Sequence, residues 1–156
     1  MALAIELLEE SFDRIAPRSA ELADRFCTTL FLVAPGERDL FAPVQVRSQR
    51  AAVVAALALV RQSLGDPEAL AAGFEALGAR HARSGVTSRH CLVAGDALLR
   101  SLARVVGPAW TPALRDAWAE LWWIVAEALL AGVERARREQ GETLAPVAWI
   151  GPRLAA

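Results

Sequence analysis

The chain has 156 residues, enough for one domain that buries a full core or encloses a cofactor, and too few for a second catalytic domain. Its formal net charge of −1 gives no strong field that would favour a nucleic acid or an anionic membrane as partner. Hydrophobic residues make up 54% of the sequence, yet the longest apolar run, Ala51 to Val60, is about half as long as a bilayer crossing requires.

Apolar residues recur at helical spacing in three segments of the first half of the chain. The spacing predicts a first helix over residues 3–15, with Pro17 after its end. A second helix begins near Ser19 and stops before Pro35, and a short turn then brings Phe41 into the loop ahead of the third helix. That third helix is predicted over residues 44–64.

The second half begins with a clear helix start, in which Asp66 is the N-cap and Pro67 lies in the first turn. This helix carries His81. Thr87 is the predicted cap of a helix over residues 88–106, and Thr111 precedes the last helix, which extends to about Glu139. No segment alternates as a strand would, so the predicted fold class is all-α.

His81 is the most informative residue because it shares its helical face with Leu70, Phe74 and Leu77. An imidazole on an apolar stripe needs a partner. Imidazole is the commonest neutral metal ligand in proteins, and a haem iron would occupy its nitrogen while the porphyrin filled the surrounding space. The alternative is a core histidine that is satisfied by a hydrogen bond within the protein.

The order and spacing of three stretches, residues 25–41, 79–91 and 111–118, carry a family resemblance. From about Ala4 to Arg138 the chain resembles a bacterial single-domain globin and is similar to the haem domain of flavohaemoglobins. The resemblance implies a globin fold, a three-over-three helical sandwich of about seven helices with no separate D helix. It also implies a globin domain over residues 1–140, followed by a C-terminal tail over residues 141–156.

The same resemblance implies that His81 is the proximal ligand of the iron of haem b, and that Phe41 packs on the porphyrin face. Aliphatic side chains are expected to surround the haem, and an arginine beside the ligand is expected to reach its propionates, unless that arginine is a solvated helix charge. These expected cofactor-binding residues are Val53, Leu77, Val86 and Leu98, together with Arg80 and its neighbour Arg83.

On the distal side, the resemblance places Gln49 and Val53 on the face that meets bound ligand, although Gln49 also suits a solvated helix start. The sequence lacks two tyrosines that the family usually has. Cys27 stands where these globins have the tyrosine that holds bound oxygen, and Cys91 where a tyrosine would touch the proximal histidine. Cys27 is expected to be a small buried hydrophobe rather than a reactive thiol, so oxygen should be held less tightly.

The proximal side departs from the family as well. Arg135 is read at the place of the glutamate that strengthens the proximal histidine, with Glu134 beside it. A peroxidase-like hydrogen-bond network around the proximal histidine is therefore in doubt. The remaining histidine, His90, is expected on the exposed proximal rim and not on the iron.

The leading hypothesis is an oxygen-binding haem protein rather than an enzyme, one that reversibly binds O₂, CO and NO. One alternative is an NO dioxygenase or weak peroxidase that works with a separate reductase. Another is a haem-based or haemless sensor. With two cysteines and an acidic amino terminus, a cytoplasmic location is expected. The protein is expected to be a monomer or a homodimer.

Overall fold

The computed structural model describes residues 3–33, 46–82 and 86–141, with no side-chain detail for residues 46–49. Every regular element in these ranges is helical, as predicted. Two short 3-10 turns, Ala16–Arg18 and Gly107–Ala109, connect neighbouring helices. The helices are α1 (Ile5–Ile15), α2 (Ser19–Val33), α3 (Val46–Ser63), α4 (Pro67–His81), α5 (Ser88–Val106) and α6 (Pro112–Glu139).

The helix starts follow from local chemistry. The Asp66 carboxylate accepts a hydrogen bond from the Ala69 N–H at 3.0 Å, which satisfies one of the free donors at the start of α4. The Thr111 hydroxyl does the same for the Leu114 N–H at 3.2 Å at the start of α6. The sequence predicted Asp66 as an N-cap and Thr111 as the residue before the last helix, and the structure agrees with both.

The core joins α1 to α6 through one buried tryptophan. The Trp118 ring is 2% exposed and its centroid lies 5.0 Å from that of Phe12. Its indole N–H donates to the Ser11 hydroxyl at 3.0 Å, and that hydroxyl donates to the Leu8 carbonyl at 2.7 Å. The polar atom of a large core side chain is thus satisfied inside the protein, as burial requires.

Helices α4 and α6 approach at backbone distance because glycines face the crossing from both sides. A Cβ atom on Gly78 would lie 1.9 Å from the carbonyl oxygen of Leu129, and one on Gly132 would lie 1.9 Å from that of Glu75. Only glycine fits such a contact. Gly78 precedes His81 by about one helical turn, so this crossing fixes the height and tilt of the segment that carries the histidine.

Within the described ranges, no helix combines the length and the apolar character that spanning a bilayer demands.

Candidate functional site

A cavity of about 260 Å³ lies among α2, α3, α4, α5 and α6. Its size is just below the roughly 300–1,000 Å³ typical of small-molecule sites. Its described wall is almost entirely aliphatic and aromatic, interrupted by two imidazoles and two thiols. The wall comprises Phe26, Cys27, Leu30, Ala52, Val53, Ala56, Leu57, Val60, Phe74, Leu77, His81, Val86, His90, Cys91, Ala94, Leu98, Trp118, Leu121, Trp122, Val125 and Leu129.

His81 is the last residue of α4, and its half-buried ring lines the cavity. Its Nδ1 lies 2.8 Å from the carbonyl oxygen of Leu77, one turn earlier on the same helix. A carbonyl oxygen can only accept, so Nδ1 carries the proton and the lone pair of the neutral ring is on Nε2. A ring held in this way has the tautomer and the orientation that a metal-ligating histidine needs.

The two thiols of the wall are buried and are in the unreactive, protonated form at neutral pH. Cys27 on α2 is 5% exposed and Cys91 on α5 is 4% exposed. Burial raises the pKa of the Cys91 thiol to about 11, and burial is also the main cause that raises the pKa of Cys27. Both therefore remain protonated at neutral pH, which agrees with the expectation that Cys27 is a small buried hydrophobe.

Trp122 is a wall residue that the sequence argument did not single out. Its indole N–H donates to the Cys91 carbonyl at 3.0 Å. A Cβ atom on Gly95 would lie 2.4 Å from the indole nitrogen, so the ring occupies space that only glycine leaves open. A contact with a glycine 27 positions earlier has no local sequence signal.

His90 is the other imidazole of the wall. It occupies the third position of α5 and completes a reciprocal cap with Thr87, whose hydroxyl accepts from the His90 backbone N–H. In return, the Thr87 backbone N–H donates to His90 Nδ1 at 2.9 Å. The sequence placed this residue on an exposed rim, whereas the structure makes it half-buried and brings it into the cavity wall.

Comparison with known proteins agrees with this architecture. The sequence model of the globin family, described as "Globin", matches residues 25–129, which is more than half of the chain. This chain is a globin. The flavohemoprotein of Bordetella pertussis is 35% identical to it over 117 residues, which cover 74% of the chain and 29% of that protein. The match thus spans under a third of such a flavohemoprotein's length.

Two further relatives fit the same family. The anaerobic nitrite reductase of Oryza sativa subsp. indica is 28% identical over 138 residues, covering 84% of this chain and 94% of that protein. The structure of an engineered carbene transferase from Rhodothermus marinus superposes with a TM-score of 0.81 at 24% identity, covering 91% of this chain and 99% of that one. The last likeness supports the fold alone. The predicted all-α globin fold is confirmed.

The globin brings together most of the residues predicted around the cofactor. Val53, Leu77, Val86 and Leu98 all line the cavity beside His81. Arg80 is exposed on the outer side of α4 and does not contribute to the described wall. Three other predictions lie outside the described residues: Phe41, Arg83, and the side chain of Gln49, whose backbone belongs to α3.

At the position read for the family's proximal glutamate, the structure shows a surface ion pair. Arg135 is on the protein surface, where its guanidinium pairs with the Glu75 carboxylate at 3.1 Å. Glu134 pairs with Arg138 on the next turn of α6. On the same helix, Val133 is 3% exposed and belongs to an apolar cluster with Ala82 and Ala136.

Proposed function

We propose that this globin binds haem b through Nε2 of His81 and reversibly binds O₂, CO and NO on the opposite face of the haem. The observation that carries the proposal is the hydrogen bond from His81 Nδ1 to the Leu77 carbonyl, which leaves Nε2 as the lone-pair atom of a ring lining an apolar cavity. Haem, when bound, supplies an iron atom with an open coordination position for a small ligand.

The residues of the wall fit haem better than a bare metal ion. Among the described residues, no group of three or more His, Cys, Asp or Glu side chains converges to form a metal cage. A haem iron needs a single axial donor from the protein, and the porphyrin needs a broad apolar surface. His81 provides the first, and the aliphatic and aromatic wall provides the second.

Each part of the site has a separate task. The Leu77 carbonyl holds the His81 ring in one orientation, which removes the entropy cost of ordering it when the ligand bond forms. The aliphatic wall excludes water from the cavity, which protects a reduced metal from side reactions. On the distal side, Cys27 offers only a weak donor, so polar stabilisation of a bound gas falls mainly to the predicted Gln49.

The proposal is tested by the absorption spectrum of the purified protein and of a His81→Gly variant. The wild-type protein should show a Soret band and bind CO. The variant should lose haem, or should bind it only when free imidazole replaces the missing donor. A wild-type protein that does not bind added haem would instead favour the haemless-sensor alternative. A His81→Gly variant with an unchanged ferrous spectrum would show that His81 is not the iron ligand.

A second candidate function is NO dioxygenation with electrons from a separate reductase, which the 35% identity to a flavohemoprotein favours. The two functions make different predictions for the reduced protein in air. A dioxygenase should consume NO over many turnovers when a reductase and its electron donor are present. An oxygen carrier should consume one equivalent of NO per haem and then stop.

A further inference from the structure

The described wall of the cavity is not equally closed on all sides. Where α4 crosses α6, a Cβ atom on Gly78 would already collide with the facing backbone, and between α5 and α6 the Trp122 ring fills the space beside Gly95. The side formed by α3 is different, because Ala52 is the one exposed residue of the described wall. The wall is therefore most accessible to solvent beside Ala52.

An ion pair joins α2 to α3 next to this residue. Nε of Arg50, two positions before Ala52, lies 2.5 Å from a carboxylate oxygen of Asp24, and both side chains are about half exposed. Cys27 follows Asp24 by about one helical turn and lines the cavity. Val53 follows Arg50 by the same interval and also lines the cavity. The ion pair thus connects the two helices at the level of the cavity wall.

The charges of this pair also act on the inside of the wall. Burial raises the pKa of the Cys27 thiol, the positive charge of Arg50 lowers it, and the negative charge of Asp24 raises it. Charged groups have such effects on a neighbouring side chain at short range. Both partners of the ion pair therefore lie close to the part of the wall that Cys27 forms.

We propose that the ion pair of Asp24 and Arg50 closes the entrance through which O₂, CO and NO reach the cavity between α2 and α3. The pair adds a barrier that a ligand crosses both on entry and on exit. It therefore sets the rates of ligand exchange and leaves the affinity unchanged. This inference rests on the proposed haem-binding function.

The test measures CO binding to the ferrous holoprotein after laser photolysis. Asp24→Asn keeps the shape of the side chain and removes its charge, and Arg50→Gln removes the charge of the other partner. In each variant CO association should be about threefold faster, a modest change because exposed ion pairs are weak. CO dissociation should accelerate by the same factor, so the Kd should not change. The fraction of photolysed CO that rebinds before it leaves the protein should fall.

Salt provides a second readout in the wild-type protein. CO is uncharged, so its encounter with the protein surface does not depend on ionic strength. Raising the salt concentration from about 0.01 M to about 1 M screens the ion pair and should accelerate association towards the rate of the variants. The two single variants should respond much less. The double variant Asp24→Arg/Arg50→Asp, which restores opposite charges, should recover both slow association and its dependence on salt.

Arg61→Gln is the matched control, because Arg61 pairs with Asp13 at 2.6 Å and so joins α3 to α1, and neither residue belongs to the described wall. This variant should bind and release CO at the wild-type rates.

Equal acceleration in Arg61→Gln would mean that any loosening of α3 has the same effect, and it would overturn the proposal. Unchanged rates in both Asp24→Asn and Arg50→Gln overturn it as well. A changed Kd with only one of the two rates altered would mean that the pair acts on the bound ligand and not on its entry, which also contradicts the proposal. If the wild-type protein binds no haem, the proposed function itself fails, and the two failures are thereby distinguished.

Discussion

At the scale of single residues, the partner of the proximal histidine sets its chemistry. A carboxylate at Nδ1 gives an imidazole the electron-rich character that drives peroxide cleavage, whereas a neutral carbonyl gives far less. The His81 ring donates to the Leu77 carbonyl, whereas the carboxylates of Glu75 and Glu134 are paired with arginines on the surface. Among the described residues, the group that the His81 ring meets at Nδ1 is thus a carbonyl and not a carboxylate.

Peroxidase activity should accordingly be low. With peroxide and a phenolic dye as substrates, the purified protein should turn over little faster than an oxygen-storage myoglobin assayed in parallel. The iron–histidine stretching frequency of the ferrous protein, measured by resonance Raman spectroscopy, should also lie in the range of such globins. Vigorous turnover together with a raised stretching frequency would mean that a carboxylate reaches His81 in solution.

Cys27 permits a test of how much polarity the distal cavity contains. Cys27→Tyr places a phenol in the described wall, and a hydrogen bond worth about 1.4 kcal/mol slows O₂ dissociation tenfold. Cys27→Phe is the matched control, since it adds the same ring without the hydroxyl. We expect O₂ dissociation, measured by stopped-flow, to be several-fold slower in the tyrosine variant than in the phenylalanine variant.

Carbon monoxide separates polarity from steric access in the same pair of variants. Bound CO is less polar than bound O₂, so the difference between the two variants should be much smaller for CO. Gln49→Leu should speed O₂ dissociation for the corresponding reason. Equal changes for O₂ and CO would contradict the polar interpretation and would mean that the added ring acts by its bulk.

At the scale of helices, the sequence predicted the elements well because their signals are local. The caps Asp66, Thr87 and Thr111 and the prolines that follow two of them define helix starts within a few residues, and the observed bounds agree. The stripe through Leu77 and His81 correctly predicted one face of the cavity. The confirmed fold thus follows from periodicity and capping.

What the sequence could not provide is the pairing of distant residues. Arg135 was read at the position of the family's glutamate, and no local pattern indicated that its guanidinium would pair with the Glu75 carboxylate of α4. His90 was assigned to an exposed rim. Its contact with the cavity has no local signal, because it depends on how α5 lies relative to α4. The contact of Trp122 with Gly95 likewise joins two helices whose spacing no local pattern specifies.

The crossing of α4 and α6 gives a prediction at the same scale. In Gly78→Ala the new Cβ would meet the Leu129 carbonyl oxygen at 1.9 Å, and a backbone atom cannot move aside as a side chain can. The variant should be less stable by about 2 kcal/mol or more, which lowers the melting temperature of a chain of this size by roughly 5 °C. Haem release should also accelerate, because His81 lies one turn further along α4.

Gly65→Ala is the matched control for this substitution. A Cβ atom at Gly65, in the turn after α3, would have no atom within 4 Å. The control should melt at the wild-type temperature or slightly above it, since alanine restricts the unfolded chain. Thermal unfolding followed by circular dichroism compares the two variants, and equal melting temperatures would contradict the tight crossing.

At the scale of the whole molecule, the composition determines which side chains can make the stability depend on pH in alkaline solution. The chain has no tyrosine and no lysine, so its 17 basic residues are all arginine. Arginine stays charged above pH 12, and the amino terminus titrates near pH 8. Between about pH 9 and 11 the two thiols are therefore the side chains of this sequence that titrate, and both line the cavity.

The stability of the protein should fall as the pH rises through this window. An unfolded thiol ionises near its ordinary pKa of 9.0, whereas burial raises the pKa of Cys91 to about 11 in the folded protein. The unfolded chain then loses protons that the folded chain retains, so each thiol favours unfolding above pH 9. For Cys91 the loss by pH 11 should be on the order of 2 kcal/mol, and Cys27 should add to it in the same direction.

Guanidinium unfolding of the CO-bound protein at pH 8, 9, 10 and 11 measures this loss without interference from an iron-bound water. Replacing Cys91 with alanine lowers stability at every pH by creating space in the wall, so the slope against pH is compared rather than the absolute free energy. Cys91→Ala should have a shallower slope than wild type, and the variant with both cysteines replaced by alanine should be nearly flat over this range. A double variant that loses stability as steeply as wild type would refute the assignment, because no thiol would then remain to account for the loss.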